Sequence, residues 1–278
     1  MSLKGKIYLC GTPIGNLDDI SFRLINTLKN VDFILCEDTR NTIKILNHLS
    51  ISKPLYSYHS YNENIKTEFF INQVLNGKNI ALVSDAGMPL ISDPGFPLVK
   101  MAIENDIELI PVSGPSAFLL NLVVSGFPSN IFIFIGFLPN EKSKRDKIFN
   151  DIKNLEFTII LYEAPHKIEK TLDYIYSILG DRNICIGKEI TKKHENFWRG
   201  KISEFKNKYP KNKIKGEFCI AIEGISKEKN DNIFLQIDNL NKEIESLKRE
   251  NLTKKEIAKI LSKKFDLSSK EIYNKFLI

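Results

Sequence analysis

The chain has 278 residues, of which 42% are hydrophobic and 27% are charged, and its formal net charge is +6. These proportions exclude a disordered chain, and the length is typical of about two domains. No apolar run reaches the roughly 20 residues that a membrane-spanning helix needs. The positive charge is compatible with a polyanionic partner, and equally with drift toward the lysine codons of an AT-rich genome.

The cysteines Cys10, Cys36, Cys185 and Cys219 are scattered and form no C-x-x-C pair. This spacing argues against a zinc ribbon and against a disulfide framework, so we expect reduced, buried thiols in a cytoplasmic protein. H-E-x-x-H and EF-hand patterns are missing from the sequence, which predicts no metal site. The G-x-S-x-G pattern is missing as well, which disfavours an α/β-hydrolase.

Residues 1–112 alternate short apolar runs with amphipathic stretches, the pattern of an α/β domain with a largely parallel sheet. The predicted helices are Phe22–Leu28 and a second one through Ile43 and Leu46. The predicted strands are Lys6–Cys10, Val31–Cys36, Asn79–Ser84 and Ile107–Pro111.

The Gly- and Pro-containing segment VSGPSA (112–117) is the candidate junction to a second α/β domain, residues 113–228. A helix between two of its strands carries apolar residues at helical spacing, namely Ile168, Leu172, Ile175 and Leu179. The predicted strands are Ile131–Phe137, Phe157–Tyr162, Asn183–Gly187 and Glu217–Ile222.

Residues 229–278 form a predicted helical extension that follows a polar linker at 227–232. One helix is marked by Ile237, Leu240, Ile244 and Leu247. Thr253 and Glu256 have the spacing of a capping box that opens a second helix, and Ser268 and Ser269 open a third. From residue 246 onward nine Lys and Arg face four Asp and Glu, which fits nucleic-acid contact or, alternatively, a solvated tail packed on the body or on a partner subunit.

Two constrained loops follow predicted strands, CGTPIGN (10–16) and SDAGMPLISDPG (84–95). Open α/β sheets bind ligands at this edge, and the glycines permit close backbone approach while the prolines fix the path. Asp85 could accept hydrogen bonds from a ribose or an amino group, or could cap a helix. Ser116 in SGPSA (113–117) could cap a helix whose N-terminus favours a carboxylate at the same edge.

Polar side chains also follow later strands, in YEAPH (162–166) and KEITKKHE (188–195). Such a cluster could hold a general base or bind phosphate, although each residue taken alone is more often structural. Its members are Glu163, His166, Lys188, Glu189, Lys192, His194 and Glu195.

The segments EDTR (37–40) and YSYHSYNE (56–63) occupy positions expected to face a substrate. Glu37 and His59 are therefore candidate substrate contacts, and Arg40 suits bidentate binding of phosphate. In the alternative interpretation, Asp38 or Thr39 caps a helix while Arg40 pairs with Glu37.

Taken together and in order, these segments closely resemble one family. They are GTPIGNLDDIS, CEDTR, SYHSYNE, ALVSDAGMPLISDPG, SGPSA, FIGFLP, YEAPHKI and KEITKKHE. The chain resembles the 16S rRNA (cytidine-2'-O)-methyltransferases, the ribosomal RNA small subunit methyltransferase I family of the tetrapyrrole methylase superfamily. The resemblance covers residues 5–225 approximately. Ser113 stands where the family usually has Pro and Lys167 where it usually has Arg, each keeping size or charge.

The resemblance implies two α/β domains, S-adenosylmethionine bound in the cleft between them, a homodimer, and a cytidine ribose of 16S rRNA in the small ribosomal subunit as substrate. Carried over residue by residue, the cofactor contacts fall on Pro13, Ile14, Asp85, Gly87, Met88, Ser116, Ala117, Tyr162 and Ala221.

The expected reaction is in-line attack of the ribose 2'-hydroxyl on the sulfonium methyl group, accelerated mainly by positioning. A base near the hydroxyl would help, and Lys188, Glu189 and Lys192 are the leading candidates, with Glu195, Glu37 and Arg40 behind them. Two alternatives stay open: a small-molecule methyltransferase of the same fold acting on a tetrapyrrole, and an RNA-binding module without catalytic activity.

Overall fold

The structure is a computed structural model that describes residues 4–209, 215–226, 239–249, 252–264 and 268–276. The chain divides into two compact units. The first comprises Met1–Asn150 and Phe157–Glu223, and the second comprises Asp151–Glu156 and Gly224–Ile278.

The first unit opens with a five-stranded, wholly parallel sheet in the order β3-β2-β4-β1-β5. Its strands are β1 (Lys6–Cys10), β2 (Phe33–Cys36), β3 (Leu55–Ser57), β4 (Ile80–Val83) and β5 (Glu108–Val112). The connecting helices are α1 (Phe22–Asn30), α2 (Thr39–His48), α3 (Glu63–Leu75) and α4 (Phe96–Glu104), with a 3-10 turn at Leu17–Asp19.

Successive residues of the central strands enter opposite cores of this sheet. Ile34 and Ala81 pack into one core together with Leu24. Leu35 and Leu82 pack into the other. Because side chains alternate along a strand, an apolar run without alternation is what a sheet covered on both faces requires.

A second five-stranded sheet in the same unit has the order β6-β7-β10-β8-β9, and only the β6–β7 pair is parallel. Its strands are β6 (Phe132–Phe137), β7 (Thr158–Glu163), β8 (Asn183–Lys188), β9 (Asn196–Lys201) and β10 (Phe218–Ile222). The helices of this part are α5 (Ala117–Ser125), α6 (Lys142–Ile152), α7 (Ile168–Leu179) and α8 (Ile202–Lys208).

Helix α5 is fixed to the second sheet by a buried amide. Asn121 has 0% of its surface exposed, and its Nδ2 donates to the carbonyl oxygens of Cys185 and Cys219 at 3.3 and 3.1 Å. A buried amide held on two strands sets both the position and the rotation of the helix. The residues at the start of α5 are therefore held in place.

The second unit contains three helices, α9 (residues 239–249), α10 (Lys254–Lys264) and α11 (Ser269–Phe276). The predicted capping box is confirmed, because the Glu256 carboxylate accepts from the Thr253 N–H at 2.9 Å and the Glu256 N–H donates to Thr253 Oγ1 at 3.4 Å. The helices enclose a small core of their own, formed by Leu240, Ile244, Ile257, Ala258, Leu261 and Ile272. The predicted linker at 227–232 and Ile237 lie outside the described residues.

The fold class is confirmed: two α/β layers followed by a helical part. Every predicted strand is present, but the edge strands β3 and β9 were not predicted. All four cysteines are buried and free. In the described part of the chain, no helix has the length and apolar character to cross a membrane. The domain boundary at 112 stays a prediction, and the one at 228 lies outside the described residues.

Candidate active site

A cavity of about 400 Å³ lies between the ends of the two sheets, within the first unit. Loops that follow β1, β4 and β5 form one wall, and residues of β7, β10 and the β8–β9 turn form the other. The lining residues include Ile14, Asp85, Gly87, Met88, Ile91, Asp93, Ser116, Ala117, Phe137, Tyr162, Glu163, Ile190 and Glu217.

The loops after β1 and β4 are joined backbone to backbone. Thr12 N–H donates to the Gly87 carbonyl at 2.9 Å, and Gly87 N–H donates back to Thr12 at 3.0 Å. Gly87 adopts φ +82°, a left-handed conformation that glycine accepts without strain. The two loops therefore hold each other in position at the rim of the cavity.

The loop after β5 packs equally closely against the loop after β1. A Cβ atom added at Gly11 would lie 2.7 Å from both the Cα and N atoms of Gly114 and 2.6 Å from Met88 Sδ. Such distances are well below van der Waals contact, so this crossing requires glycine on both sides. The three loops meet at one edge of the sheet, as parallel strands predict.

The loop from 84 to 95 is constrained along its whole length. Leu90 and Ser92 both have φ +69°, a left-handed conformation that costs a non-glycine residue roughly 1 kcal/mol or more. Glu63 holds the end of the loop, because its Oε2 accepts the Gly95 N–H at 2.9 Å. Backbone strain of this kind clusters at functional sites.

Asp85 is anchored by the first turn of α2. Its Oδ1 accepts the Asp38 N–H at 3.1 Å, and its Oδ2 accepts Asn41 Nδ2 at 2.9 Å. The predicted helix cap at Asp38 is confirmed, since its side chain accepts the Arg40 N–H. The expected pairing of Arg40 with Glu37 is wrong: Arg40 pairs with Asp38 at 2.6 Å, because the cap brings that carboxylate next to the guanidinium.

Acidic side chains converge on this side of the cavity. Burial raises the pKa of Asp93 to about 6, with further contributions from the charges of Glu37 and Asp85. Burial and Asp85 also raise the pKa of Glu37, and His59 opposes that rise. A ligand with positive charge would fit this wall well.

His59 is held in one tautomer. The Asn62 Oδ1 atom accepts the backbone N–H of His59 at 2.9 Å, which fixes the orientation of the Asn62 amide. The Asn62 Nδ2 atom therefore faces the ring atom His59 Nε2 at 3.0 Å and donates to it. The proton of the neutral ring is then on Nδ1, a buried atom with no hydrogen-bond partner among the described residues. A buried donor without a partner costs free energy, so this position is an exception in the packing beside Glu37.

The opposite wall combines aromatic and polar groups. Burial raises the pKa of Tyr162 to about 12, and the Ser116 side chain lies close enough to oppose that rise. Ser116 is the residue before α5, but the predicted capping hydrogen bond from its side chain is not formed. Glu163 is 6% exposed, and its carboxylate accepts the Ala164 N–H at 2.8 Å and the Thr171 hydroxyl at 2.5 Å.

The KEITK turn is a hydrogen-bonded unit beside the cavity. Lys192 pairs with Glu189 and Glu217, each at 3.2 Å, and Glu189 also accepts the Glu217 N–H at 2.8 Å. Burial tends to raise the pKa of Glu189. The Glu217 N–H and Lys192 outweigh this effect and hold the pKa below its usual value. Glu217 and Glu189 likewise raise the pKa of Lys192 against the effect of burial. Neither side chain has the properties of a base near neutral pH.

The structure brings most of the predicted cofactor contacts together. The residues that line the cavity are Ile14, Asp85, Gly87, Met88, Ser116, Ala117 and Tyr162. Pro13 and Ala221 are buried next to lining residues but do not line the cavity. All nine assignments stay predictions, since no ligand contact tests them.

The predicted catalytic and substrate residues are more dispersed. Glu163 lines the cavity, whereas Glu37 and His59 do not, although the charge of Glu37 acts on the lining residue Asp93. Lys188, Glu189 and Lys192 flank the lining residues Gly187 and Ile190 without lining the cavity themselves. The remaining three, Arg40, His166 and His194, are exposed.

Sequence reasoning missed three prominent lining residues, namely Asp93, Phe137 and Glu217. A signal existed for the first two, because Asp93 is the second aspartate of SDAGMPLISDPG and Phe137 belongs to FIGFLP. Nothing in the sequence marked Glu217, which precedes β10 and reaches the site through antiparallel pairing. Among the described residues, no cluster of three or more His, Cys, Asp or Glu is arranged to hold a metal ion.

Residues 6–206 match the family model described as Tetrapyrrole (Corrin/Porphyrin) Methylases. That match spans well over half of the chain, and the chain therefore belongs to this family.

Sequence relatives indicate which members of this family the chain is most similar to. The chain is 44% identical over 221 residues to the ribosomal RNA small subunit methyltransferase I of Halalkalibacterium halodurans, covering 80% of this chain and 76% of that protein. It is 40% identical over 270 residues to the protein of the same name from Synechocystis, covering 97% and 96%. Within the family, it groups with the ribosomal RNA small subunit methyltransferase I proteins.

Solved structures support the fold. Uroporphyrin-III C-methyl transferase from Thermus thermophilus, solved in complex with S-adenyl homocysteine, superposes with a TM-score of 0.54 at 14% identity. The alignment covers 78% of this chain and 97% of that one. At this identity the likeness concerns the fold alone.

Proposed function

We propose that this chain transfers a methyl group from S-adenosylmethionine to the 2'-hydroxyl of a cytidine ribose in 16S rRNA of the small ribosomal subunit. Relatives named as ribosomal RNA small subunit methyltransferases match nearly its full length. The structural observation that carries the proposal is the cavity between the two sheet ends, with the loops of its first wall fixed to one another.

The residues of the cavity fit S-adenosylmethionine. About 400 Å³ lies within the 300–1,000 Å³ typical of small-molecule sites. Asp85, fixed by two donors, is suited to accept hydrogen bonds from a ribose or an amino group. Ile14 and Met88 supply apolar surface, and Gly87 leaves room for close backbone approach. When bound, S-adenosylmethionine supplies a methyl group on a positively charged sulfonium.

The chain then acts mainly by positioning. The departing thioether is neutral and needs little assistance, so the rate depends on the alignment of the nucleophilic oxygen with the methyl group. The loops on the first wall are suited to this role because their backbones are hydrogen-bonded and closely packed. Tyr162 stays a neutral phenol at pH 7, since its pKa is about 12, and can donate a hydrogen bond.

For the acceptor nucleotide, we retain the contacts predicted from the sequence, of which Glu163 lines the cavity. They are Glu37, Arg40, His59, Glu163, His166 and His194. His59 Nδ1 is the most specific of them, because it is a buried donor that has no partner. The KEITK residues Lys188, Glu189 and Lys192 stay candidates for the catalytic base from the sequence, although the contacts of Glu189 and Lys192 favour a structural role.

The second unit offers a surface for the RNA backbone. Lys255, Lys259 and Lys263 are exposed along one face of α10, opposite its buried residues Ile257 and Leu261. None of the three lysines has an acidic partner among the described residues. Residues four apart lie about 6 Å apart along a helix, so the stripe presents regularly spaced positive charge. Such a stripe suits phosphate contacts.

We also propose a cytoplasmic homodimer. Four buried, free thiols suit a reducing compartment. Tyr61, Ile65 and Phe69 are 92%, 81% and 54% exposed at four-residue spacing, and Phe96 and Ile103 are exposed on α4, which packs against α3. Apolar residues grouped in this way are typical of a subunit interface. Light scattering after size exclusion should give the mass of two chains, and Ile65→Lys with Phe69→Lys should give one.

The defining experiment combines the purified chain, methyl-labelled S-adenosylmethionine and small ribosomal subunits from cells that lack this gene. We expect label at one 2'-O-methylcytidine of the 16S rRNA. A chain with Asp85→Ala serves as the control for transfer that depends on the cavity. If the cofactor binds and no rRNA is labelled, while a tetrapyrrole acceptor is methylated, the small-molecule alternative replaces this proposal.

A second measurement tests the RNA surface. Lys255→Glu, Lys259→Glu and Lys263→Glu together should weaken binding of 16S rRNA at least tenfold and leave cofactor affinity unchanged. A matched triple substitution of exposed lysines in the first unit, Lys29, Lys147 and Lys170, controls for net charge. Equal losses from the two triple variants would assign RNA binding to overall charge and not to α10.

A further inference from the structure

We propose that Asp93 is the proton acceptor for the hydroxyl group that is methylated. This inference rests on the proposed function and names one residue of its site. It was not among the catalytic candidates derived from the sequence. It follows from a comparison of the carboxylates that line the cavity.

Four carboxylates line the cavity: Asp85, Asp93, Glu163 and Glu217. Asp85 accepts two hydrogen bonds from the start of α2. Glu163 accepts from the Ala164 N–H and the Thr171 hydroxyl, and Glu217 pairs with Lys192. Each of these three already has hydrogen-bond or ion-pair partners on its carboxylate oxygens.

Asp93 differs from the other three. Its one polar contact that favours the charged form is with Ser84, whose hydroxyl donates to the Gly87 carbonyl at 3.0 Å. No cation and no backbone N–H bonds to the Asp93 carboxylate among the described residues. The carboxylate therefore has lone pairs free to accept a proton from a bound ligand.

The backbone around Asp93 is rigid and strained. The residue before it, Ser92, has φ +69°, and Leu90 has the same value. Gly95, two residues after it, is bonded to Glu63. Ser92 Oγ also lies 2.8 Å from where a Cβ on Gly136 would be, so the loop touches the opposite sheet at β6. A loop fixed at both ends can hold a side chain to the accuracy that proton transfer demands.

The electrostatic surroundings suit a base. The charged groups that face Asp93 are Glu37 after β2 and Asp85 after β4, with the neutral Tyr162 on β7. Burial and these like charges raise the pKa of Asp93 to about 6. A base of that strength is deprotonated at pH 7 and still takes up a proton more readily than an ordinary carboxylate.

The step balances without a further reactant. The hydroxyl O–H bond breaks and its proton passes to the Asp93 carboxylate. The oxygen forms a bond to the methyl carbon as the carbon–sulfur bond breaks, which leaves a neutral thioether. The negative charge of Asp93 and the positive charge of the sulfonium are both lost, so net charge is conserved.

The test uses single-turnover transfer to small subunits with saturating cofactor, measured from about pH 5 to pH 9. The wild-type rate should rise with pH through about 6 and then level off. Asp93→Asn should lower the plateau by about 10² to 10⁴ and abolish the rise. Asp93→Glu should restore part of the rate together with its pH dependence. Asp151→Asn, an exposed aspartate on α6, is the matched control and should leave the rate unchanged.

A readout independent of activity separates this role from cofactor binding. The S-adenosylmethionine Kd of Asp93→Asn, measured by calorimetry, should stay within about threefold of wild type. A large loss of cofactor affinity, or a rate within tenfold of wild type, would overturn the proposal. A pH-independent loss of rate in Glu189→Gln, with Asp93→Asn unaffected, would place the base in the KEITK turn. A wild-type chain that methylates no rRNA would instead remove the proposed function itself.

Discussion

Replacing Gly11 by alanine tests the packing on which the whole site depends. Gly11 follows β1 directly, and a methyl group there would meet Gly114 backbone atoms at 2.7 Å. Ordinary contact begins at 3.4 Å, so the two loops must separate by about 0.7 Å. Backbone cannot move aside as a flexible side chain can. Both loops carry predicted cofactor contacts, so the displacement reaches the cavity.

The size of the effect follows from overpacking. Inserting a methyl group into a closely packed place costs about 1 to 3 kcal/mol. For a protein of this size that corresponds to a fall of about 2 to 12 °C in the unfolding midpoint. A shift of this scale at the site should raise the S-adenosylmethionine Kd at least tenfold. Thermal unfolding and calorimetry of the same sample measure both quantities.

The matched control is Gly180→Ala. Gly180 ends α7 with φ +75°, and a Cβ there would meet nothing within 4 Å. Alanine at this position costs about 1 to 3 kcal/mol through backbone strain alone, because φ +75° with ψ −165° is essentially a glycine conformation. It should lower the midpoint and leave cofactor affinity unchanged. If Gly11→Ala binds the cofactor as wild type does, the proposed dependence of the site on this crossing is refuted.

Three further predictions concern side chains. Asn121→Ala leaves the carbonyls it served without that donor, so chemical denaturation should show a loss of about 1 to 3 kcal/mol. Lys192→Met removes the partner of Glu189 and Glu217. Because these groups are partly exposed, we expect a loss of about 1 kcal/mol that shrinks in high salt, read by thermal unfolding at two salt concentrations. Asp93→Asn should raise the free energy of unfolding at about pH 7.5 by roughly 1 kcal/mol, allowing for partial exposure. The pKa of Asp93 in the folded chain, about 6, lies above its ordinary value of 3.8. The contribution of Asp93 to the stability of the wild type is therefore fully present below pH 3.8 and is lost as pH rises through about 6. A midpoint difference that is constant from pH 4 to pH 8 would contradict this assignment.

Strand positions were predictable because the sheets are covered on both faces. A strand such as β4 reads as an uninterrupted apolar run, IALV, whose ends are set by polar and glycine residues. The strands β3 and β9 were missed, although the other two edge strands, β5 and β6, were predicted. Leu55–Ser57 has three residues, and Asn196–Lys201 interleaves charged and polar residues with Phe197 and Trp198. Short length in β3 and interleaved polar residues in β9 weaken the sequence signal, whereas β5 and β6 are largely apolar runs.

The site was predictable where it depends on sheet topology. Loops after parallel strands must meet at one edge of the sheet. The sequence therefore predicts that GTPIGN, SDAGMP and SGPSA lie together. The second sheet is mostly antiparallel, so this rule gave no guidance there. Glu217, directly before β10, reaches the cavity by antiparallel pairing that the sequence does not reveal. The contacts of Glu189 and Lys192 with Glu217 were hidden for the same reason.

The role of Asp93 is the point at which stability and function diverge. A buried carboxylate without a cation destabilises the folded chain at neutral pH, and the left-handed residues beside it add strain. Neither the unpaired carboxylate nor the backbone strain helps the chain to fold. Asparagine at position 93 would remove the cost of the unpaired charge. Elsewhere around the cavity the opposite holds, because Asp85, Glu163 and Glu217 each have partners that stabilise their charge. Asp93 is therefore the exception among the carboxylates of this cavity, and it is the one whose reactivity the proposed methyl transfer can use.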